Sequence, residues 1–159
     1  MLVCRSDALN WQIRGYKNLA KNEFGCDLKV WCYSYVSVAE TLAKAQAYVD
    51  RYVIEYGNNQ ACDNIVKEPG IQTGICTPER AEQFRYHFKG GWAGFPLVGT
   101  PQMMVDHLGM LADAGLDGIC LSWLDYHSGI EQWDTEVMPL LEKAGLRQPL
   151  AVAPQRLAA

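Results

Sequence analysis

Apolar, β-rich runs alternate with segments of helical spacing along most of this chain, and that alternation restricts the fold more than any other feature. Residues 28–36 (LKVWCYSYV) hold only Lys29 and Ser34 as plainly polar positions, which predicts a strand covered on both faces. Residues 95–98 (FPLV) and 118–123 (GICLSW) predict two more strands, and 1–5 (MLVCR) a short, weaker one. Between them lie helical patterns. Ile13, Tyr16, Leu19 and Ala20 share a face in 11–24, with Gly25 as the stop. Ser37 and Glu40 read as a capping box that opens the next helix. Its stripe is Leu42, Ala45, Val49, Tyr52, Val53 and Tyr56, and Gly57 ends it.

Residues 58–76 show no period and read as an irregular insert. Thr77-Pro78-Glu79 caps a helix running to about Phe88, and Gly90-Gly91 breaks it. Thr100-Pro101 caps a further helix that presents Met104, Val105, Leu108 and Leu111, with Gly115 as its stop. The last helix covers about 129–144, with Ile130, Trp133, Val137, Leu140, Leu141 and Ala144 inward and a kink expected at Pro139. Residues 148–159 read as a flexible tail beyond one folded unit, 1–147. Strand–helix alternation means an α/β fold with a parallel sheet and right-handed crossovers. A (β/α)8 barrel needs eight strands, and a small doubly wound sheet usually has five in sequence.

Composition narrows the function. Apolar residues make up 49% and charged residues 20% of the 159, which is a chain able to build a core. The net charge of −4 disfavours a nucleic-acid binder. No apolar run reaches the ~18 residues of a membrane span, and the start carries no secretory signal. Six cysteines stand without a C-x-x-C pair, and Cys4, Cys32 and Cys120 sit in apolar runs as small hydrophobes. A cytoplasmic enzyme domain is the expectation.

The common nucleotide, dinucleotide and serine-hydrolase signatures are absent. His87, His107 and His127 lie at a spacing that suits no metal site, so none is assigned. Gly99-Thr100-Pro101, between a strand and a helix, is open to two readings: a phosphate cradle or a plain N-cap. Asp125-Tyr126-His127 follows the last strand, where a loop or an acid/base group would sit. Trp31, Tyr33 and Tyr35 alternate and therefore share one face of their strand. With Trp123 and Tyr126 at the end of the last strand, they suit a planar ligand or ordinary core packing.

An ordered series of residues adds a family likeness. Gly94-Phe95-Pro96-Leu97-Val98-Gly99-Thr100-Pro101, Val105-Asp106-His107-Leu108 and Ala112-Asp113-Ala114-Gly115-Leu116-Asp117-Gly118 come in turn. Leu121-Ser122-Trp123 and Glu136-Val137-Met138-Pro139-Leu140-Leu141 follow. The series resembles the C-terminal third of the luciferase-like flavin-dependent monooxygenases. Asp63-Asn64 and His87-Phe88-Lys89-Gly90-Gly91-Trp92 resemble the branch with pyrimidine oxygenase and the sulfone or alkanesulfonate monooxygenases.

The resemblance implies part of a (β/α)8 TIM barrel, about strands six to eight with their helices and an insertion before strand seven. It implies reduced FMN from a separate NAD(P)H-dependent flavin reductase, dioxygen, and a small organic substrate. On that reading Trp31, Tyr33 and Ser122 face the cofactor, Tyr35 and Trp123 the substrate, and Tyr126 is the proton donor. The family's main flavin-phosphate contacts come from earlier strands, so the phosphate site is not carried onto Thr100. A deazaflavin-dependent oxidoreductase of the same superfamily and a non-catalytic truncated interaction module are the alternative readings. A barrel piece has open edges and an uncovered face, so a homo-oligomer or association with a missing upstream segment is expected.

Overall fold

The computed structural model describes residues 6–68 and 77–149; for 6–8 it describes the backbone alone. The expected strand at 1–5, Cys4, Cys76 and nearly all of the 148–159 tail lie outside the described residues. In chain order the elements are α1 (Ser6–Phe24), β1 (Trp31–Val38), α2 (Leu42–Asp50), a π turn (Arg51–Glu55) and α3 (Asn59–Val66). Then come α4 (Pro78–Gly91), β2 (Phe95–Gly99), α5 (Pro101–Asp113), β3 (Gly118–Ser122) and α6 (Tyr126–Gln132). A second π turn (Trp133–Val137) and α7 (Met138–Lys143) complete them.

The three strands form one parallel sheet in the order β2-β1-β3. This is an α/β fold, and it departs from the expectation of barrel strands six to eight in succession, which would put β2 in the middle. Here β1 is central, and the connection through α5 passes it to reach β3. Helices pack on both faces of the sheet around Val36 and Tyr35, while Trp31 and Cys120 stay exposed, so the expected bare face is present only in part. Side chains alternate along β1. Tyr35, with Val98 beside it, packs on Ala45, Val49 and Val53 of α2 and its π turn. Val36, with Leu97 beside it, packs on Met104 and Val105 of α5 and on Trp133, Val137 and Leu141.

Several local expectations shift by a few residues. Ser37 belongs to β1, and its hydroxyl donates to Ala45 O at 3.0 Å instead of capping a helix. Thr41 is the N-cap of α2, its Oγ1 accepting from Lys44 N at 3.2 Å. Helix capping is set by which residue leaves the sheet first, and β1 runs two residues further than its apolar pattern. Its start is also later, at Trp31, because Asp117 Oδ2 takes the Val30 N–H at 2.9 Å. Asp117 also binds Lys17 at 2.6 Å and Lys29 at 3.1 Å, so one carboxylate ties α1 and both strand starts together. Lys17 first, then the Val30 amide, holds its pKa well below the usual range.

Residues 59–66 are helical where an irregular insert was expected; Asn58 Oδ1 caps them from Ala61 N at 2.9 Å. The last helix begins at Tyr126, and Pro139 is absorbed by the π turn before it, which widens the helix where the missing N–H would stand. Only Ile13 of the α1 stripe is buried, and Ile130 is exposed. Cys120 is exposed as well, because β3 is an edge strand and little covers that side of it.

Candidate functional site

In open α/β sheets a crevice opens at the carboxyl ends of the strands at the point where the strand order reverses. The order β2-β1-β3 puts that point between the ends of β1 and β3. A cavity of about 400 Å³ lies there. Val38 and Ala39 bound it from the end of β1, Tyr48 from α2, and Trp123, Asp125 and Gly129 from the end of β3 and from α6.

The floor of this cavity is built by capping chemistry. Asp125 caps α6: its Oδ1 accepts from His127 N at 3.1 Å and Ser128 N at 3.4 Å, and Ser128 Oγ donates to Oδ2 at 2.7 Å. The Ser128 hydroxyl, with these amides behind it, lowers the Asp125 pKa, so the group stays a carboxylate at neutral pH. Gly129 has no side chain where a Cβ would come 2.3 Å from the Trp123 ring. The indole is thereby seated directly on α6. It meets Tyr126 and Trp133 edge-on, each at 5.9 Å between ring centroids.

The sequence candidates separate into three groups. Trp123 and Tyr126 come together at the switch point, Trp123 in the cavity wall and Tyr126 exposed beside it. Tyr33 and Ser122 form a pair: the Tyr33 hydroxyl donates to Ser122 Oγ at 2.6 Å, and Ser122 donates to Ser34 O at 3.3 Å. Ser122 is thus committed within the sheet. Trp31 and Tyr35 are not at this cavity. Trp31 opens β1, seven residues before Val38, a rise of about 23 Å along a strand. Its ring is exposed and covers Gly118. Tyr35 is 2% exposed, a core residue whose hydroxyl pairs with His87 Nδ1 at 2.8 Å. Gly90 and Gly91 allow α4 to press on its ring, since a Cβ at Gly91 would stand 2.6 Å from Tyr35 Cβ.

Burial drives the Tyr35 pKa up and the His87 pKa down, so both are neutral at pH 7 and share one hydrogen bond. Thr100 acts as an N-cap, with Oγ1 accepting from Met103 N at 3.4 Å, the plainer of its two readings. Ser128 was not singled out in the sequence, and Asp125, open there to a loop or an acid/base reading, is a helix cap. The S/T/D/N residue ahead of a helix was the available signal, and the loop reading of Asp125 hid it.

The cavity walls give a ring an aromatic face and polar rim groups, and they include no Lys or Arg. Such a set fits the ring of a flavin and does not fit its phosphate. Among the described residues no three His, Cys, Asp or Glu side chains come together as a metal site, and no helix is long and apolar enough to cross a membrane.

No family model matches the chain, and no curated protein does. Solved structures do. The riboflavin lyase RcaE, solved with modified FMN and its substrate riboflavin, covers 88% of this chain at 18% identity with a TM-score of 0.65. DmoA from Hyphomicrobium sulfonivorans covers 94% at 19% identity with a TM-score of 0.71. The chain spans 37% of the length of each. At such identities the likeness is one of fold, and it agrees with the luciferase-like resemblance that the sequence carries.

Proposed function

We propose that this chain supplies part of a flavin site in a luciferase-like monooxygenase that oxidises a small organic substrate with reduced FMN and dioxygen. The observation that supports it is the backbone likeness to a riboflavin lyase solved with modified FMN. The bound flavin would supply the oxygen chemistry. The chain's own residues bind and orient. Trp123 offers its ring as a wall, held in place by Gly129 and Trp133. The Tyr33–Ser122 pair fixes the strand end beneath it. Tyr126, exposed beside Trp123, would hand a proton from its hydroxyl to the substrate. The phosphate site and a separate NAD(P)H-dependent reductase lie outside this chain in this proposal, and a second copy or an upstream segment would complete the site.

Flavin fluorescence titration tests it. Because the cavity walls hold no cation, riboflavin and FMN should bind this chain with the same affinity, weaker than about 1 μM. Trp123→Ala should remove that binding. No saturable binding of either flavin at about 1 mM, or binding that Trp123→Ala leaves intact, would defeat the proposal. Oxygen uptake with reduced FMN, measured with any upstream segment present, separates a monooxygenase from a deazaflavin-dependent oxidoreductase, which needs no oxygen.

A further inference from the structure

A second cleft, of about 510 Å³, adjoins the first across Tyr48 and has the opposite chemistry. Its walls are Tyr48, Arg51, Tyr52 and Tyr56 from α2 and its π turn, and Phe88 and Lys89 from α4. Single π turns occur often at functional sites, since the extra residue redirects the side chains that follow. Here the turn places Arg51, Tyr52 and Tyr56 along one cleft.

Two of the rings are held in place. Tyr48 and Tyr52 meet edge-on at 5.6 Å, and the Tyr52 hydroxyl donates to Gly90 O at 3.1 Å. Burial pushes the Tyr52 pKa up to about 12, so it remains a neutral ring. The cations are under-neutralised. Lys89 Nζ donates to the amide oxygen of Asn59 at 3.0 Å and has no carboxylate partner among the described residues. Arg51 reaches Glu55 only at 4.0 Å, and its guanidinium stands 5.9 Å from the Tyr56 ring centroid. Lys89 is also placed by a bare backbone. A Cβ on Gly57 would come 2.6 Å from Lys89 Cδ and 2.1 Å from Val53 O, so any side chain there displaces the lysine stem or the turn.

We propose that this cleft binds a small anionic aromatic molecule, its ring against Tyr52, Tyr56 and Phe88 and its acid group met by Lys89 and Arg51. Aromatic walls with convergent charge are the usual make-up of such a site, and a charge-assisted hydrogen bond is about twice a neutral one in strength. The inference is independent of the flavin reading, because neither cation nor the π turn belongs to the Trp123 cavity.

The test is a titration of the chain with naphthyl phosphate, followed by NMR at the tyrosine rings, with naphthoate and uncharged naphthol as comparisons. Naphthyl phosphate and naphthoate should bind saturably and shift Tyr48, Tyr52 and Tyr56, and naphthol should bind at least about tenfold more weakly. Lys89→Met and Arg51→Gln should each weaken the anions about tenfold and leave naphthol unchanged, while Lys21→Met, which removes an exposed lysine paired with Asp27, should change nothing. Arg51 is exposed, so Arg51→Gln serves where Lys89→Met fails to fold. Trp123→Ala should leave naphthyl phosphate binding intact, so this inference and the flavin reading can fail separately. Equal affinity for naphthol and naphthyl phosphate, no saturable binding at about 1 mM, or shifts confined to other tyrosines would overturn it.

Discussion

The two faces of the sheet are built on different physics. On one, Val36, Leu97, Met104, Trp133, Val137 and Leu141 close a mainly apolar layer under α5 and the last helix, with Ser34 buried on the same strand face and His107 edge-on to Phe95 at its rim. On the other, the apolar residues Val49, Val53 and Val98 share space with Tyr35, Tyr52, Tyr86 and His87, whose polar atoms are hydrogen-bonded. Tyr86 donates to Asp50 and accepts from Gln46, so even the rim of that layer is a network. An apolar layer depends chiefly on packed volume. A hydrogen-bonded layer fixes orientation, and any partner left alone carries a desolvation cost. Both proposed ligand sites adjoin the tyrosine layer through Tyr48.

The largest expected effect is on the apolar face. Leu97 is fully buried against Val36 and Met104, and Leu97→Ala should cost about 2–5 kcal/mol in urea unfolding, equally at pH 5.5 and pH 7.5 (roughly the two sides of a free histidine's titration). A pH-dependent cost would break the contrast between the faces. On the other face Tyr35→Phe keeps the ring and removes its hydroxyl. It leaves His87 Nδ1 unpaired, which should cost about 1–3 kcal/mol; a neutral result would mean that the pair contributes nothing.

The pH response should then come from the tyrosine face. Burial lowers the His87 pKa in the folded chain below its ordinary 6.5, so the unfolded chain binds more protons. Stability from this group is present above about pH 6.5 and falls as pH drops below it. Denaturation midpoints taken across that window should fall in the wild-type chain and hold level in His87→Gln. A separate loss, from Asp117, should begin only below about pH 4, since its folded pKa is depressed. The smallest effect sharpens the reading of Thr100 as a cap. Thr100→Ala should cost about 1 kcal/mol and leave anion binding unchanged. A loss of anion binding would restore the phosphate reading.

The strands at 95–99 and 118–122 and the helices after Thr77 and Thr100 were legible because each carries its own signal: a short β-rich run, or a cap followed by proline. The α3 segment was not legible, because eight residues give few turns over which a period can show. In the candidate site, Trp123 and Tyr126 were legible from their place after a strand. Trp31 and Tyr35 were grouped with them because alternation gives the face of a strand and not the distance along it. Asp125 looked like a loop residue because its partners are backbone amides, which every sequence contains.

The sequence by itself determined the parallel α/β class, most element positions and the aromatic character of the strand ends, since these follow from local spacing and propensity. The tertiary structure alone decided that β1 lies at the centre, that helices pack on both faces, and that Tyr35 is core while Trp123 lines a cavity. Those outcomes depend on which strands pair and which helix packs on which face. Such contacts join residues far apart in the chain, and no local pattern encodes them.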